Sequence, residues 1–242
     1  MTELHMIELR PALSALARFV HGQGLSDATR DEDLGYAVHA WLAAAFGALA
    51  PRPWRLLQDQ RRPTRILGYT TTGAAELRRH LAEFADPMVA AVCANPDCDV
   101  ASRPMPIWAK GRCLGFEVLC CPIGRKARSG VEKDVFLIRA DSSGGDLDRQ
   151  QVYCDWGREQ LQRNMAATAY RIRLDGFRLV RQTRQTQLTT AMRNQRRLVR
   201  PQALLRGELE IGDPSAFHEL LRRGLGRHRA FGYGMLLLRP PT

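Results

Sequence analysis

Residues 207–240 read GELEIGDPSAFHELLRRGLGRHRAFGYGMLLLRP. Glu208, Leu209, Glu210 and Ile211 alternate polar and apolar, the period of a strand with one buried face. Asp213 followed by Pro214 marks a helix start. The carboxylate can accept from the free N–H groups of the first turn, and proline fits the first helical position, where its missing N–H costs nothing. The helix PSAFHELLRR then meets a loop in which Gly224, Gly226, Gly232 and Gly234 interleave with Arg227, His228 and Arg229, and AFGYGMLLLRP is expected to close the segment as a strand.

The rest of the chain supplies the same grammar twice. LHMIELR alternates as a strand, residues 11–20 read as a short helix or ordered loop, and DLGYAVHAWLAAAFGAL is a longer helix. Its start carries Asp31, Glu32 and Asp33, which suit the positive end of the helix dipole. PWRLLQ and TRILGYT follow as strands and GAAELRRHLAEFA as another helix, while residues 86–112 are difficult to assign. LGFEVLCCPI reads as a strand, GRKARSGVEK as a basic loop, RQQVYCDWGREQLQRNM as a helix and QALLRGELEIG as a strand. The fold class is therefore α+β, with two tandem ferredoxin-like βαββαβ domains. The linker SSGGD places them at residues 1–142 and 147–242.

A chain of 242 residues with 45% hydrophobic content can bury the cores of two such domains. No long uncharged apolar run and no signal-peptide pattern occurs, so a cytoplasmic protein with no membrane association is expected. The six cysteines lack paired C-x-x-C spacing and are expected to be reduced thiols; no metal and no cofactor is expected.

The net charge of +11 is unevenly placed. Residues 1–150 hold 19 basic against 18 acidic side chains, whereas 151–242 hold 17 against 7. Ten arginines lie within 171–206, with Asp175 as the only acid before Glu208. Planar guanidinium forks suit phosphates, and their binding releases counterions, so a polyanion is favoured over a merely solvated face.

In the helix that contains Tyr36 and His39, Leu34, Val38, Trp41, Leu42 and Ala45 fall on one side at 3.6-residue spacing. Tyr36 and His39, three residues apart, project together away from it. Beside a polyanion site such a histidine has a chemical use. Imidazole exchanges a proton near neutral pH, and RNA carries its own nucleophile in the 2′-hydroxyl.

Three stretches carry a resemblance to a known family: GYAVHAWLAAAFG with its Tyr-x-x-His, the central LGFEVLCCPIGRK…KDVFLI…DW, and the segment quoted first. Together they make the chain similar to the CasE (Cse3) endoribonucleases of type I-E CRISPR systems, in the Cas6-type superfamily. The resemblance implies two ferredoxin-like or RRM-like domains. It also implies metal-independent cutting on the 3′ side of a CRISPR repeat RNA hairpin, leaving a 2′,3′-cyclic phosphate and a 5′-hydroxyl, with His39 and Tyr36 at the matching catalytic positions. Such enzymes keep the hairpin and remain with other Cascade subunits. Extra residues before the His-bearing helix and a different central segment leave any third catalytic residue unassigned.

RNA contacts are expected from Arg178, Arg181, Arg184, Arg193, Arg196 and Arg197 on a basic hairpin or loop, from Arg125 and Lys126 in the central loop, and from Arg227 and Arg229. The glycine-rich loop is expected to pack near the His39 helix as a phosphate-side scaffold, which leaves His228 outside the chemistry. Two other readings stand beside this one: a noncatalytic hairpin-RNA-binding subunit of a ribonucleoprotein, and a basic DNA-binding protein.

Overall fold

The computed structural model describes residues 3–24, 34–59, 61–125, 131–143, 146–185 and 195–241; the side chains of 181–198 lie outside the described set. The first half runs β1 (His5–Leu9), α1 (Leu13–Gly22), α2 (Leu34–Phe46), β2 (Trp54–Asp59), β3 (Arg62–Thr70), α3 (Ala74–Phe84), two single-turn helices α4 (Pro87–Ala90) and α5 (Pro96–Asp99), and β4 (Val100–Pro104). Its antiparallel sheet has the order β2-β3-β1-β4. The acidic start expected for α2, residues 31–33, lies outside the described residues.

The second half runs β5 (Cys113–Cys120), a small ladder of β6 (Ile123–Arg125) and β7 (Glu132–Asp134), α6 (Val135–Ala140), α7 (Arg149–Gln162), β8 (Ala167–Gln185), β9 (Gln195–Ile211), α8 (Pro214–Arg223) and β10 (Leu236–Arg239). Its main sheet has the order β10-β5-β9-β8, again antiparallel. In both sheets the first and third strands of the unit lie at the centre and the fourth and second at the edges. That is the ferredoxin-like arrangement, made twice.

Two boundaries differ from the sequence reading. The division between sheets falls between Pro104 and Cys113, not at residues 142–147, because Cys113–Cys120 pairs along its whole length with β9 and not with the first sheet. The closing strand starts at Leu236 and not at Ala230. Residues 229–231 form a 3-10 turn, and Gly232 and Gly234 adopt φ of 86° and 81°, values that leave the strand region.

Strand alternation joins the halves. On β3, Ile66 packs under α1, α2 and α3, while Leu67 and Tyr69 point the other way into the core of the second half. There the buried Tyr69 hydroxyl donates to the Leu236 carbonyl at 2.9 Å. Asp213 caps α8 as its sequence implies, accepting from the Ala216 N–H.

The β8–β9 pair outgrows its sheet. β5 covers β9 only from Ala203 to Glu210, whereas β8 follows β9 out to Gln185 opposite Gln195. From Arg178 and Gln202 outward the two strands therefore form a two-stranded arm.

Candidate functional site

Helix α2 buries Ala37, Val38, Trp41, Leu42, Ala45 and Phe46 and so turns Tyr36 and His39 outward on one face. Tyr36 is 41% exposed, and its ring centroid lies 6.5 Å from that of His39 in an edge-on arrangement. A third ring completes the group. Phe231, from the turn before β10, stacks parallel to Tyr36 at 6.3 Å and meets His39 edge-on at 4.8 Å.

Small residues make this approach feasible. A Cβ on Gly35 would stand 2.9 Å from the Phe231 carbonyl oxygen, so only glycine admits the turn against the start of α2. Trp54, at the start of β2, donates its indole N–H to the Ala230 carbonyl at 2.9 Å, and a Cβ on Gly232 would stand 2.9 Å from the same indole ring. The helix, the strand that follows it and the glycine-rich loop thus fix one another.

Burial and the nearby charge of Arg52 together hold His39 below its usual pKa. The imidazole is then neutral at neutral pH and free to accept a proton. Arg52 also acts on Arg229 of the loop, so positive charge from both halves of the chain meets at Arg52.

His228, the histidine within the loop, is differently placed. Its Nδ1 accepts from Arg200 at 2.6 Å, and its Nε2 lies 2.9 Å from Glu132. A guanidinium can only donate, so Nδ1 carries no proton and Nε2–H donates to the carboxylate. Burial and the Arg200 charge lower its pKa, and both ring nitrogens are engaged in tying the loop to β7 and β9.

The four loop glycines act chiefly through packing. A Cβ on Gly224 would meet the Gly234 carbonyl oxygen at 2.8 Å, and one on Gly226 would meet the Trp156 ring at 3.0 Å. On Gly234 it would stand 2.2 Å from the Leu225 carbonyl oxygen. All four have positive φ.

The candidate phosphate contacts divide. Arg178, exposed at the foot of the arm, donates at 2.7 Å to the Gln202 amide oxygen, and that amide's nitrogen donates to the Tyr233 hydroxyl at 3.1 Å. A cleft of about 350 Å³ joins this foot to Phe231 and Gly35. Arg227 pairs with Glu132 at 3.1 Å, and Arg125 is exposed at the end of β6, opposite Glu132 in the ladder. Lys126 and Arg193 lie outside the described residues, as do the side chains of Arg181, Arg184, Arg196 and Arg197. On the backbone, Arg184 stands directly across from Arg196.

Not all of the arginine-rich segment is uncompensated. Arg206 binds Glu117 at 2.8 Å and Asp175 at 2.6 Å, while Arg171 and Arg173 approach Glu208 and Asp175. Glu117 belongs to β5, so the acid that neutralises the root of the arm comes from far along the chain.

Arg52, Phe231 and Glu132 were absent from the sequence reading. Phe231 becomes relevant only when the two halves close on each other, and Arg52 only when the turn before β2 folds against α2. The nearest signal was the spacing of Phe231 between the paired loop glycines.

Among the described residues, no group of three His, Cys, Asp or Glu is placed to hold a metal ion. The cysteines are free thiols, and burial pushes Cys93 and Cys121 up to about 12. Among the described residues, no helix is long and apolar enough to cross a membrane.

A family model described as "CRISPR associated protein" matches residues 4–240. Among solved structures, the chain resembles CRISPR endoribonuclease Cse3 bound to 19 nt RNA, at 19% identity and a TM-score of 0.66, covering 98% of this chain and 100% of that one. Thermus thermophilus Cse3 bound to an RNA representing a pre-cleavage complex aligns at 19% identity with a TM-score of 0.63, over 98% and 100% of the two chains. A chain of a CRISPR RNA-guided surveillance complex aligns at 16% identity with a TM-score of 0.55, over the same shares. These likenesses show the fold. Comparison with curated proteins finds no match.

Proposed function

The chain belongs to the CRISPR-associated protein family, and from that premise we propose that it is an endoribonuclease that binds the repeat hairpin of precursor CRISPR RNA and cuts at its 3′ side. The observation that carries this reading is the meeting of His39, Tyr36 and Phe231 under the charge of Arg52, beside the foot of the β8–β9 arm.

His39, neutral at neutral pH, takes the proton of the 2′-hydroxyl as its oxygen attacks the adjacent phosphorus. The bond from phosphorus to the 5′-oxygen breaks, and that oxygen takes a proton from solvent water and leaves as a 5′-hydroxyl. The other product ends in a 2′,3′-cyclic phosphate. Tyr36 orients the 2′-hydroxyl or the phosphate, and Arg52 and Arg229 stabilise the charge that builds on the phosphoryl oxygens. The reaction as written needs no metal ion, because substrate and side chains supply the nucleophile, the base and the positive charge.

The arm carries the hairpin. A-form RNA hides base edges in its deep major groove, so arginines along the arm would grip phosphates and shape. The cut hairpin then stays bound, and the protein remains as a subunit of a Cascade-type complex in the cytoplasm. The test is to incubate the purified protein with a repeat hairpin in EDTA and analyse product ends. A cyclic phosphate and a 5′-hydroxyl at one position are expected. Binding with no product would favour a noncatalytic RNA-binding subunit, and equal affinity for duplex DNA would favour a DNA-binding protein.

A further inference from the structure

The glycine-rich loop borders two clefts. Phe231, Gly232 and Tyr233 line the one that leads to the foot of the arm. The preceding residues, 224–229, line a larger cleft of about 490 Å³, closed on its other sides by Arg163, Asn164 and the Glu219 and Arg223 side chains of α8. The second cleft has no place in the grip on the hairpin described above.

Five arginines meet in it: Arg52, Arg163, Arg223, Arg227 and Arg229. Two carboxylates share the space, and both are engaged. Glu132 is held by His228, Arg227 and Arg200, and Glu219 by Arg222 and Arg223. Among the described residues, Arg52, Arg163 and Arg229 form no ion pair with a carboxylate. Arg229 instead donates to the Arg223 backbone carbonyl, which holds its guanidinium at the cleft. Like charges gathered in this way repel, and an anion among them would remove that cost. Burial first, and then the charges of Arg52, Arg223 and Arg227, lower the pKa of Arg229.

We propose that this cleft is a second phosphate site, which holds the backbone of the single RNA strand continuing past the cut. The inference rests on the RNA-processing reading above and extends it. Arg52 links the cleft to the chemistry, since its charge reaches both His39 and Arg229. A strand leaving the scissile phosphate on the side away from the arm's foot therefore enters the arginines directly. Among the described residues no Phe, Tyr or Trp lines the cleft, so what it chiefly offers is guanidinium forks to phosphates. The grip is independent of sequence.

The test compares two RNAs with the same repeat hairpin and a 2′-deoxy nucleotide at the cut, one ending there and one carrying a short downstream single strand. Wild type is expected to bind the flanked RNA more tightly, with a salt slope steeper by about 0.7 for each phosphate held. Flanks of different base composition should give the same gain. The double variant Arg163→Ala/Arg223→Ala should bind the bare hairpin as wild type does and lose the gain from the flank. No gain in wild type, or a gain that survives in the double variant, would overturn the proposal while leaving the hairpin reading intact. Failure to bind even the bare hairpin would remove the RNA-processing reading and this inference with it.

Discussion

Phe231 meets the His39 imidazole edge-on at 4.8 Å between ring centroids, although one residue precedes β10 of the second sheet and the other lies on a helix of the first. The same Phe231 ring lies within 10° of parallel to Tyr36. The orientation of the candidate catalytic pair therefore depends on how the two ferredoxin-like halves are docked.

Phe231→Ala should leave hairpin affinity close to wild type while lowering the single-turnover rate by roughly ten- to a hundredfold, the scale of a small misplacement of reacting groups. Phe231→Tyr, which keeps the ring, should restore most of the rate. Equal losses in the two variants would show that the ring does not position His39.

The pH profile follows from the lowered pKa of His39. A base must be unprotonated, so the rate should hold at neutral pH and fall only as pH drops through a midpoint below 6.5. Arg52→Gln removes one of the two causes, so the midpoint should move up toward 6.5 while burial keeps it lower. NMR titration of the His39 ring, with the rate profile measured alongside, checks both. An unchanged midpoint in the variant would remove Arg52 from the site.

His228 should prove structural. Since Arg200 and Glu132 already occupy its ring nitrogens, His228→Ala should reduce the rate far less than His39→Ala while lowering Tm. Its depressed pKa has a second consequence. The unfolded chain binds a proton that the folded chain resists, so His228 contributes stability above pH 6.5 that is lost as pH falls through its folded pKa. His228→Asn should therefore flatten the acid side of a Tm-versus-pH curve.

Gly234→Ala should be costly to the fold. Its Cβ would stand 2.2 Å from the Leu225 carbonyl oxygen at a φ of 81°, so we expect a loss of about 2–4 kcal/mol, or roughly 5–15 °C in Tm. Gly111→Ala provides the contrast. Its φ is 79°, but its Cβ would meet nothing within 4 Å, so only the backbone strain remains. Similar losses in both would show that packing at Gly234 is not the cause.

What the sequence made legible was local. Periodicity located α2 and placed Tyr36 and His39 on its outer face, and Asp213-Pro214 marked the start of α8. Alternation identified Cys113–Cys120 as a strand but carried no information about its partner. SSGGD looked like a boundary, while the pairing of β5 with β9 and β10 set the real one upstream. Charge counting treated residues 171–206 as one cationic block. The fold divides it, neutralising Arg206 with Glu117 from another strand and leaving Arg184 opposite Arg196 along the arm. Phe231 was invisible because it acquires its role through a contact between halves, and Arg52 because its charge reaches His39 only once α2 and the turn before β2 are folded against each other.

The central claim is that His39 is the base. The most direct measurement is the single-turnover rate of repeat-hairpin cleavage in EDTA by wild type and by His39→Ala, with matched hairpin affinity confirmed for both. A fall of about a hundredfold to ten-thousandfold is predicted, with no product from an RNA bearing a 2′-deoxy nucleotide at the cut. His39→Ala cutting as fast as wild type would contradict the account.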